Sequence, residues 1–224
     1  MNELRYTFLS DGSSDQALMP ILTWLLRRHG VTWPIQPEWA DLRRLPRQHK
    51  NLTLTDRIRW SLELYPSDLL FVHRDAEAIP YQARQREIET ALDSSNLEVN
   101  LPVICVIPIR MQEAWLLFDE QAIRFAAGNP NGRHPIELPS LTRVEALPDP
   151  KELLYELLRE ASGLAGKRRR QLRVQRLTRR VTEYIDDFSP LRNLSAFREL
   201  ERDIITLIQE QGWRSNDHPP VTTN

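Results

Sequence analysis

The chain has 224 residues and a formal net charge of −1; 41% of its residues are hydrophobic and 27% are charged. This length can bury a sizeable core, and the near-neutral charge means that any attraction to nucleic acid or to an anionic membrane must be local. Cys105 is the only cysteine and lies in an apolar segment, which excludes a disulfide framework and indicates a buried thiol. The sequence contains no signal-peptide pattern and no apolar run of membrane-spanning length, so we expect a cytoplasmic protein that does not enter a membrane.

The first half of the chain alternates apolar segments with helical patterns. Predicted strands, of which the second is weak, lie at residues 5–9, 38–42, 68–73 and 101–109. Predicted helices lie at residues 13–30, 55–65, 80–93 and 112–128. The third of these helices carries Arg84 on the face that we expect to be solvated. Such an alternation is typical of an α/β fold with a mostly parallel sheet sandwiched by helices.

The second half of the chain is predicted to be helical. Residues 129–148 are rich in proline, glycine and asparagine, which indicates a connecting loop. Helices are then predicted at residues 149–162, 168–186 and 189–212, the first with Asp149 as its N-cap. The predicted organisation is therefore an α/β domain at 1–128, a loop at 129–148, a helical extension at 149–213 and a disordered tail at 214–224.

Acidic residues follow three of the predicted strands directly. They are Asp11, Asp75, Glu77 and Glu113. If the three strands are parallel neighbours, these carboxylates converge at the carboxyl edge of the sheet, where open α/β sheets bind their ligands. Clustered carboxylate oxygens suit Mg²⁺, which keeps water molecules for substrate phosphates. The pattern indicates a metal site that holds Mg²⁺ or Mn²⁺.

Structural explanations compete with the metal site, although the capping one does not explain why Asp11 stands at the strand edge. Asp75 and Glu77 could be surface acids that face Arg74 or Arg84, and Asp and Ser residues after the first strand are what a helix cap requires. Glu113 at the start of a helix is favoured by the helix dipole. Arginines beside the acids could offset phosphate charge or simply pair with the carboxylates.

The segment at 168–186 is the only strongly basic one in the chain. Candidate nucleic-acid contacts, including two arginines beside the acids, are Arg74, Arg110, Arg168, Arg169, Arg170, Arg173 and Arg176. The alternative is a solvated helix whose arginines pair with Glu152, Glu156, Asp186 and Asp187.

The sequence lacks the motifs that are typical of several enzyme classes. It has no glycine-rich phosphate loop that ends in Lys-Ser or Lys-Thr, no dinucleotide fingerprint, no paired-cysteine zinc spacing and no Gly-x-Ser-x-Gly elbow. We therefore expect neither an NTPase, nor a nicotinamide enzyme, nor an esterase.

Three motifs resemble those of the Toprim family. Residues 9–15, Leu-Ser-Asp-Gly-Ser-Ser-Asp, resemble its acid-Gly motif after the first strand, and residues 72–77, Val-His-Arg-Asp-Ala-Glu, resemble its Asp-x-Asp motif after the third strand. Residues 109–119 resemble the Glu-Ala-Trp-Leu-Leu-x-Asp segment of small bacterial Toprim-like proteins. Those proteins are similar to the nuclease half of OLD-type proteins and are often encoded beside an AAA- or ABC-type ATPase in phage-defence loci. The resemblance covers roughly residues 4–128.

The resemblance implies a Toprim-fold, Mg²⁺- or Mn²⁺-dependent nuclease that acts in antiphage defence with an ATPase partner. Asp11, Asp75, Glu77 and Glu113 would then be the metal ligands and the catalytic residues. The sequence departs from the family in two places: Asp11 stands where a longer glutamate is usual, and Glu77 replaces the last aspartate. No tyrosine stands where a topoisomerase needs its nucleophile.

Two other functions fit the same residues. One is a non-catalytic Toprim-like interaction protein that docks onto an ATPase through its helical extension. The other is a metal-dependent enzyme that acts on a small phosphate compound, which a basic helix remote from the acids would favour. The sequence is also compatible with a homo-oligomer.

Overall fold

A computed structural model describes residues 3–45, 51–94 and 99–214 of the chain. Its described part contains a four-stranded, all-parallel sheet in the order β2-β1-β3-β4. The strands are β1 (Leu4–Leu9), β2 (Ile35–Trp39), β3 (Leu69–His73) and β4 (Val103–Val106). The predicted α/β class with a parallel sheet is thereby confirmed.

Burial explains the order of the strands. All five residues of β3, from Leu69 to His73, are buried, as expected for a parallel strand covered by helices on both faces. Strand β2 lies at the edge and its central residues are exposed. Pro37 is tolerated there because an edge strand has one unpaired side. The weak second strand predicted at 38–42 thus forms three residues earlier in the chain.

Helices cover both faces of the sheet. The α-helices of the described residues are α1 (Met19–Arg28), α2 (Leu54–Leu64), α3 (Tyr81–Asp93), α4 (Glu120–Ala126), α5 (Leu141–Val144), α6 (Pro150–Ala161), α7 (Gly166–Gln171), α8 (Val174–Glu183) and α9 (Ser195–Glu210). Helix α7 has no buried residue. Ile58 of α2 and Ile88 of α3 pack on one face with Leu70 and Val72 of β3. The other face packs against α1, α4, α6, α8 and α9 in a larger core. The result is a three-layer arrangement.

Two predicted helices begin as 3-10 turns. The segment at 13–30 is a 3-10 helix at Ser13–Leu18 followed by α1, and Pro20 lies in the first turn of α1, where a missing N–H costs nothing. The segment at 112–128 is a 3-10 helix at Gln112–Leu116 followed by α4. Asp119 caps α4 by accepting a hydrogen bond from Ala122 N at 2.8 Å.

The prediction of one continuous basic helix at 168–186 is wrong, because this part of the chain forms two helices, α7 and α8. Leu172 has extended backbone angles between the two helices. In a continuous helix, residues two positions apart do not face the same side. The extended residue lets both Leu172 and Val174 contact the core.

The helices after residue 128 belong to the same core as the sheet. Leu154 and Leu158 of α6 and Phe197 of α9 lie in one buried cluster with Phe8 and Phe71 of the strands. The division of the chain at residue 128 stays a prediction, but buried side chains on either side of it are packed together. Of the predicted disordered tail at 214–224, all but its first residue lie outside the described residues.

None of the helices in the described ranges is both long and apolar enough to span a membrane.

The predicted loop at 129–148 contains α5 and an acid that caps α9 from a distance. Glu145 accepts hydrogen bonds from Ser195 N at 3.2 Å, Ser195 Oγ at 2.9 Å and Ala196 N at 3.2 Å. Leu194, at the N-cap of α9, supplies no acceptor of its own. Glu145 therefore satisfies backbone donors that α9 would otherwise leave free.

We expect Glu145→Ala to lower the free energy of unfolding by about 1–2 kcal/mol, as the loss of an N-cap acceptor does. Urea unfolding of the variant beside the exposed, distant Glu63→Ala would measure it. Equal midpoints for the two variants would show that the cap contributes nothing to stability.

Candidate active site

The predicted acids lie at the point where the sheet reverses its order. The chain passes from β1 to β2 on one side and from β3 to β4 on the other, so β1 and β3 are neighbours whose connections run in opposite directions. Open α/β sheets bind ligands outside the carboxyl ends of the strands at such a switch point. Asp11 follows β1 and Asp75 follows β3, which places both at this position.

A cleft of about 300 Å³ opens there, and we call it the acid cleft. Its lining residues are Asp11, Gly12, Ser14, Asp15, His73, Arg74, Asp75, Glu77 and Arg84. The fold thus brings together three of the four predicted acids and adds a fourth, Asp15, that the sequence had indicated only as a possible cap.

Asp75 lies in the interior of the acid cleft, with 28% of its side chain exposed. The backbone N–H of Gln112 donates to its Oδ1 at 2.8 Å. Burial raises the pKa of Asp75 to about 6; the charge of His73 and the hydrogen bond from Gln112 oppose this rise, and the charges of Asp15 and Asp11 add to it. The rise marks a carboxylate that lacks a full countercharge.

His73 is the buried neighbour of Asp75. Its Nδ1 lies 2.9 Å from the carbonyl oxygen of Val106, and because a carbonyl only accepts, Nδ1 carries a proton. Nε2 lies 3.6 Å from Asp75 Oδ1 and bears a proton only when the ring is charged. The Nδ1 contact satisfies one ring nitrogen of this histidine at the end of β3, while Nε2 is directed at the acid.

Asp15 links the loop after β1 to the segment after β4 by hydrogen bonds. Its Oδ2 accepts from Gly12 N at 2.8 Å, and its Oδ1 accepts from Ser14 Oγ at 3.0 Å and from Gln112 Nε2 at 2.8 Å. The Oε1 atom of Gln112 is buried and has no hydrogen-bond partner among the described residues. An orphaned carbonyl oxygen beside carboxylates is a ready acceptor for water or a ligand for a hard cation.

Asp11 stands at the rim, with half of its side chain exposed. It forms ion pairs with Arg57 and with Arg74, the latter with 3.2 Å between Nε and Oδ2. Arg57 also donates to the carbonyl oxygen of Ser10. Arg74 thus pairs with a carboxylate, as one of the two alternatives for the arginines predicted, and Arg57 is a second partner of Asp11.

Glu77 and Arg110 hold an unusual backbone shape. Both are non-glycine residues in the left-handed region, with φ of 53° and 65°, and Glu77 N donates to the carbonyl oxygen of Arg110 at 2.8 Å. Such conformations cost free energy and are concentrated at functional sites. Glu77 lines the acid cleft, whereas the side chain of Arg110 does not.

Glu113 is not brought into the acid cleft. Only 3% of its side chain is exposed, and its Oε1 lies 4.0 Å from Lys151 Nζ of α6. Burial raises the pKa of Glu113, and the charges of Asp75 and Asp15 add to this rise. Glu113 therefore influences the cleft electrostatically from behind its wall.

Arg84 is the functional candidate that the sequence pattern missed. Its predicted place on the solvated face of α3 is wrong, because only 6% of its side chain is exposed. One terminal nitrogen pairs with Glu87, which also lies 3.1 Å from Arg74, and Nε has no partner among the described residues. Arg84 lines the cleft, where a guanidinium group is suited to a phosphate oxygen. The charged neighbours of Arg84 in sequence gave no signal of this burial.

The basic residues of α7 and α8 lie outside the acid cleft. Arg169 pairs with Glu156 at 3.3 Å, as the salt-bridge alternative predicted. The other four predicted contacts, Arg168, Arg170, Arg173 and Arg176, are exposed and form no ion pair with any described residue. Helix α8 packs against the 3-10 helix that carries Asp15, so the basic surface adjoins the loop of the site without lining it.

The donor chemistry of the acid cleft fits a divalent cation. No group of three or more His, Cys, Asp or Glu side chains within residues 3–45, 51–94 and 99–214 is arranged as a metal site. Gln112 is buried and does not line the cleft, but Asp15 and Asp75 supply to the cleft carboxylate oxygens whose like charges are mutually unfavourable. These are the ligand types that Mg²⁺ and Mn²⁺ prefer.

Comparison with known proteins gives no match of this chain to a family model, to a curated protein or to a solved structure.

Proposed function

We propose that the protein is a Toprim-like, Mg²⁺- or Mn²⁺-dependent nuclease that hydrolyses phosphodiester bonds of nucleic acid in the cytoplasm. The observation that carries this proposal is one cleft at the switch point of the sheet that combines an incompletely neutralised carboxylate, Asp75, with the largely buried guanidinium of Arg84. Carboxylates suit a divalent cation, and a guanidinium donor suits the phosphate that accompanies it.

Asp75 and Asp15, with Asp11 or Glu77 at the rim, would hold the cation. When bound, a divalent ion lowers the pKa of a water molecule and stabilises the charge of the leaving oxygen. The guanidinium groups of Arg84 and of the less buried Arg74, which both line the cleft, offset phosphate charge. Glu113 acts through its charge rather than as a ligand.

The basic helices supply the surface for the nucleic-acid backbone. The exposed arginines Arg168, Arg170, Arg173 and Arg176, which form no ion pair with a described residue, lie on α7, on α8 and between them, and α8 packs against the 3-10 helix that carries Asp15. Phosphate contacts of this kind position a nucleic acid without reading its sequence. We further propose that the protein acts as an effector in antiphage defence together with an ATPase.

A second candidate is hydrolysis of a small phosphate compound at the same acids. The acid cleft measures only about 300 Å³, and no arginine of α7 or α8 is among its lining residues. A small ester needs no contact with those helices.

The test compares the protein with an Asp75→Ala/Glu77→Ala double variant. Both are incubated with plasmid DNA, with tRNA and with bis(p-nitrophenyl) phosphate, under Mn²⁺ and under EDTA. We expect metal-dependent cleavage of DNA or RNA that falls about 100-fold or more in the variant, as the loss of groups that stabilise a transition state does. A Glu63→Ala/Glu210→Ala variant, which removes two exposed acids elsewhere, is the matched control.

Cleavage of the small ester alone would favour the second candidate. Equal activity of the double variant and its control would place the chemistry elsewhere. Inertness of the wild type, with no calorimetric binding of Mn²⁺, would leave a non-catalytic interaction protein.

A further inference from the structure

A second concave surface, larger than the acid cleft, lies along the edge strand β2. This groove has a volume of about 950 Å³, shares no lining residue with the acid cleft, and is called the aromatic groove here. Four of its lining residues are aromatic: Trp24, Trp39, Tyr65 and Phe188. We propose that the aromatic groove binds an arginine- or lysine-rich segment of a partner protein.

The charges of the aromatic groove favour a cation. Glu38, Glu183 and Asp186 line it, are exposed, and form no ion pair with any described residue. Among the described lining residues, one guanidinium without an ion pair, that of Arg179, stands against these three carboxylates. The remaining arginine of the groove, Arg43, is neutralised by Asp41, with contacts of 2.7 and 3.1 Å. The surplus of negative charge attracts basic ligands and repels phosphates.

Two tryptophan rings of the groove already contact guanidinium groups of this chain. The guanidinium of Arg43 lies 4.7 Å from the ring centroid of Trp39, and that of Arg192 lies 5.7 Å from the ring centroid of Trp24. Tryptophan faces attract cations through the ring quadrupole, most strongly where water is partly excluded. Rings and carboxylates together recognise the two features of an arginine side chain, its planar face and its charge.

The position of the groove favours an extended segment that is recognised by its side chains. The groove follows Pro37, Glu38 and Trp39 of the edge strand, with α1 and the end of α8 as its other walls. Pro37 has no N–H, so it interrupts the row of backbone donors that a peptide would need to join the sheet as another strand. Affinity must then come from basic side chains over the rings and carboxylates.

The test uses a fluorescein-labelled peptide in which arginine alternates with leucine. Its binding to the full-length protein is followed by fluorescence anisotropy, beside the same peptide with citrulline in place of arginine, which keeps the shape and removes the charge. We expect binding of the arginine peptide only, weakened when salt is raised from about 50 to about 500 mM. Because EDTA is present throughout, the result does not depend on the proposed nuclease activity.

A Glu183→Gln/Asp186→Asn variant tests the location of the site. Both residues are exposed, so we expect the fold to be kept, with an unchanged circular dichroism spectrum. Binding should weaken about threefold to tenfold, since each exposed charge pair contributes only modestly. The matched variant Glu63→Gln/Glu210→Gln changes the net charge equally outside the groove and should bind like the wild type.

Three results would overturn the proposal. They are equal binding of the citrulline peptide, equal affinity of the two double variants, and no binding of the arginine peptide. A fourth result, measured by light scattering, would also overturn it: self-association of the wild type that is lost in the Glu183→Gln/Asp186→Asn variant. The groove would then bind a second copy of this chain, whose exposed α7 is basic, and not a different protein.

Discussion

Asp75→Asn should make the protein more stable at pH 7 while abolishing metal-dependent activity. Burial and the nearby acids raise the pKa of Asp75 from 3.8 to about 6. Between these two pH values the folded protein keeps a proton on Asp75 that the unfolded chain releases. The stabilisation from this proton is present below about pH 4 and is lost as the pH rises through 6, at a cost of about 3 kcal/mol. Asparagine keeps an acceptor for the N–H of Gln112 without the buried charge.

Urea unfolding of wild type and variant between about pH 4 and pH 7 would measure the effect. We expect the variant to gain about 2–3 kcal/mol at pH 7 and the difference to vanish towards pH 4. Mn²⁺ should raise the midpoint of the wild type and leave that of the variant unchanged, because a ligand stabilises only the state that binds it. Asp93→Asn, an exposed substitution on α3, should show none of these effects.

A variant less stable than the wild type at pH 7 would mean that the negative charge of Asp75 is compensated within the folded chain. In that case His73, whose Nε2 lies 3.6 Å away, would be the compensating partner. Asp75 would then need no bound cation to balance its charge.

The sheet and the position of its acids could be predicted because they depend on local signals. Buried parallel strands are continuous apolar runs, so β1 and β3 stand out in the sequence, and the residues after them must lie at the carboxyl edge. Asp11, Asp75 and Glu77 reached one cleft for this reason. Only the order of the strands, which the sequence did not determine, decides that β1 and β3 are adjacent.

The partners of the site residues could not be predicted, because they come from elements distant in sequence. Arg57 of α2 neutralises Asp11. Lys151 of α6 approaches Glu113, which does not line the acid cleft. The burial of Arg84 depends on how α3 packs, which a charged helical pattern does not reveal. Whether an acid can serve as a ligand depends on such partners more than on its place at the end of a strand.

Glu201→Gln should destabilise the protein by about 3 kcal/mol at neutral pH, as the loss of a well-paired buried carboxylate does. Only 11% of the Glu201 side chain is exposed. Arg192 binds it with contacts of 2.7 and 3.0 Å, and His29 Nε2 lies 2.7 Å from Oε1. Burial alone would raise the pKa of Glu201, but the hydrogen bonds and charges of His29 and Arg192 lower it to about 2.

The sign of the pH dependence follows from this lowered pKa. The stabilisation by Glu201 is complete above the unfolded-state value of 4.5 and is lost as the pH falls towards 2, so acid should unfold the wild type progressively below about pH 5. In Glu201→Gln this part of the acid sensitivity should be absent. Glu199→Gln is the matched control on the same helix, since Glu199 pairs with Arg202 at the surface, where such pairs contribute up to about 1 kcal/mol.

The outcome bears on the architecture as well as on stability, because Glu201 joins the end of α1 to α9. A two-state transition that shifts as a whole in Glu201→Gln would mean that the carboxyl-terminal helices unfold together with the sheet. Loss of α9 in a separate, earlier transition would instead make residues 149–213 an extension with a stability of its own, as the change of pattern at Asp149 first suggested. A cooperative shift would also rule out truncation at residue 128 as a route to an isolated, active α/β domain, since the larger face of the sheet would lose the helices that cover it.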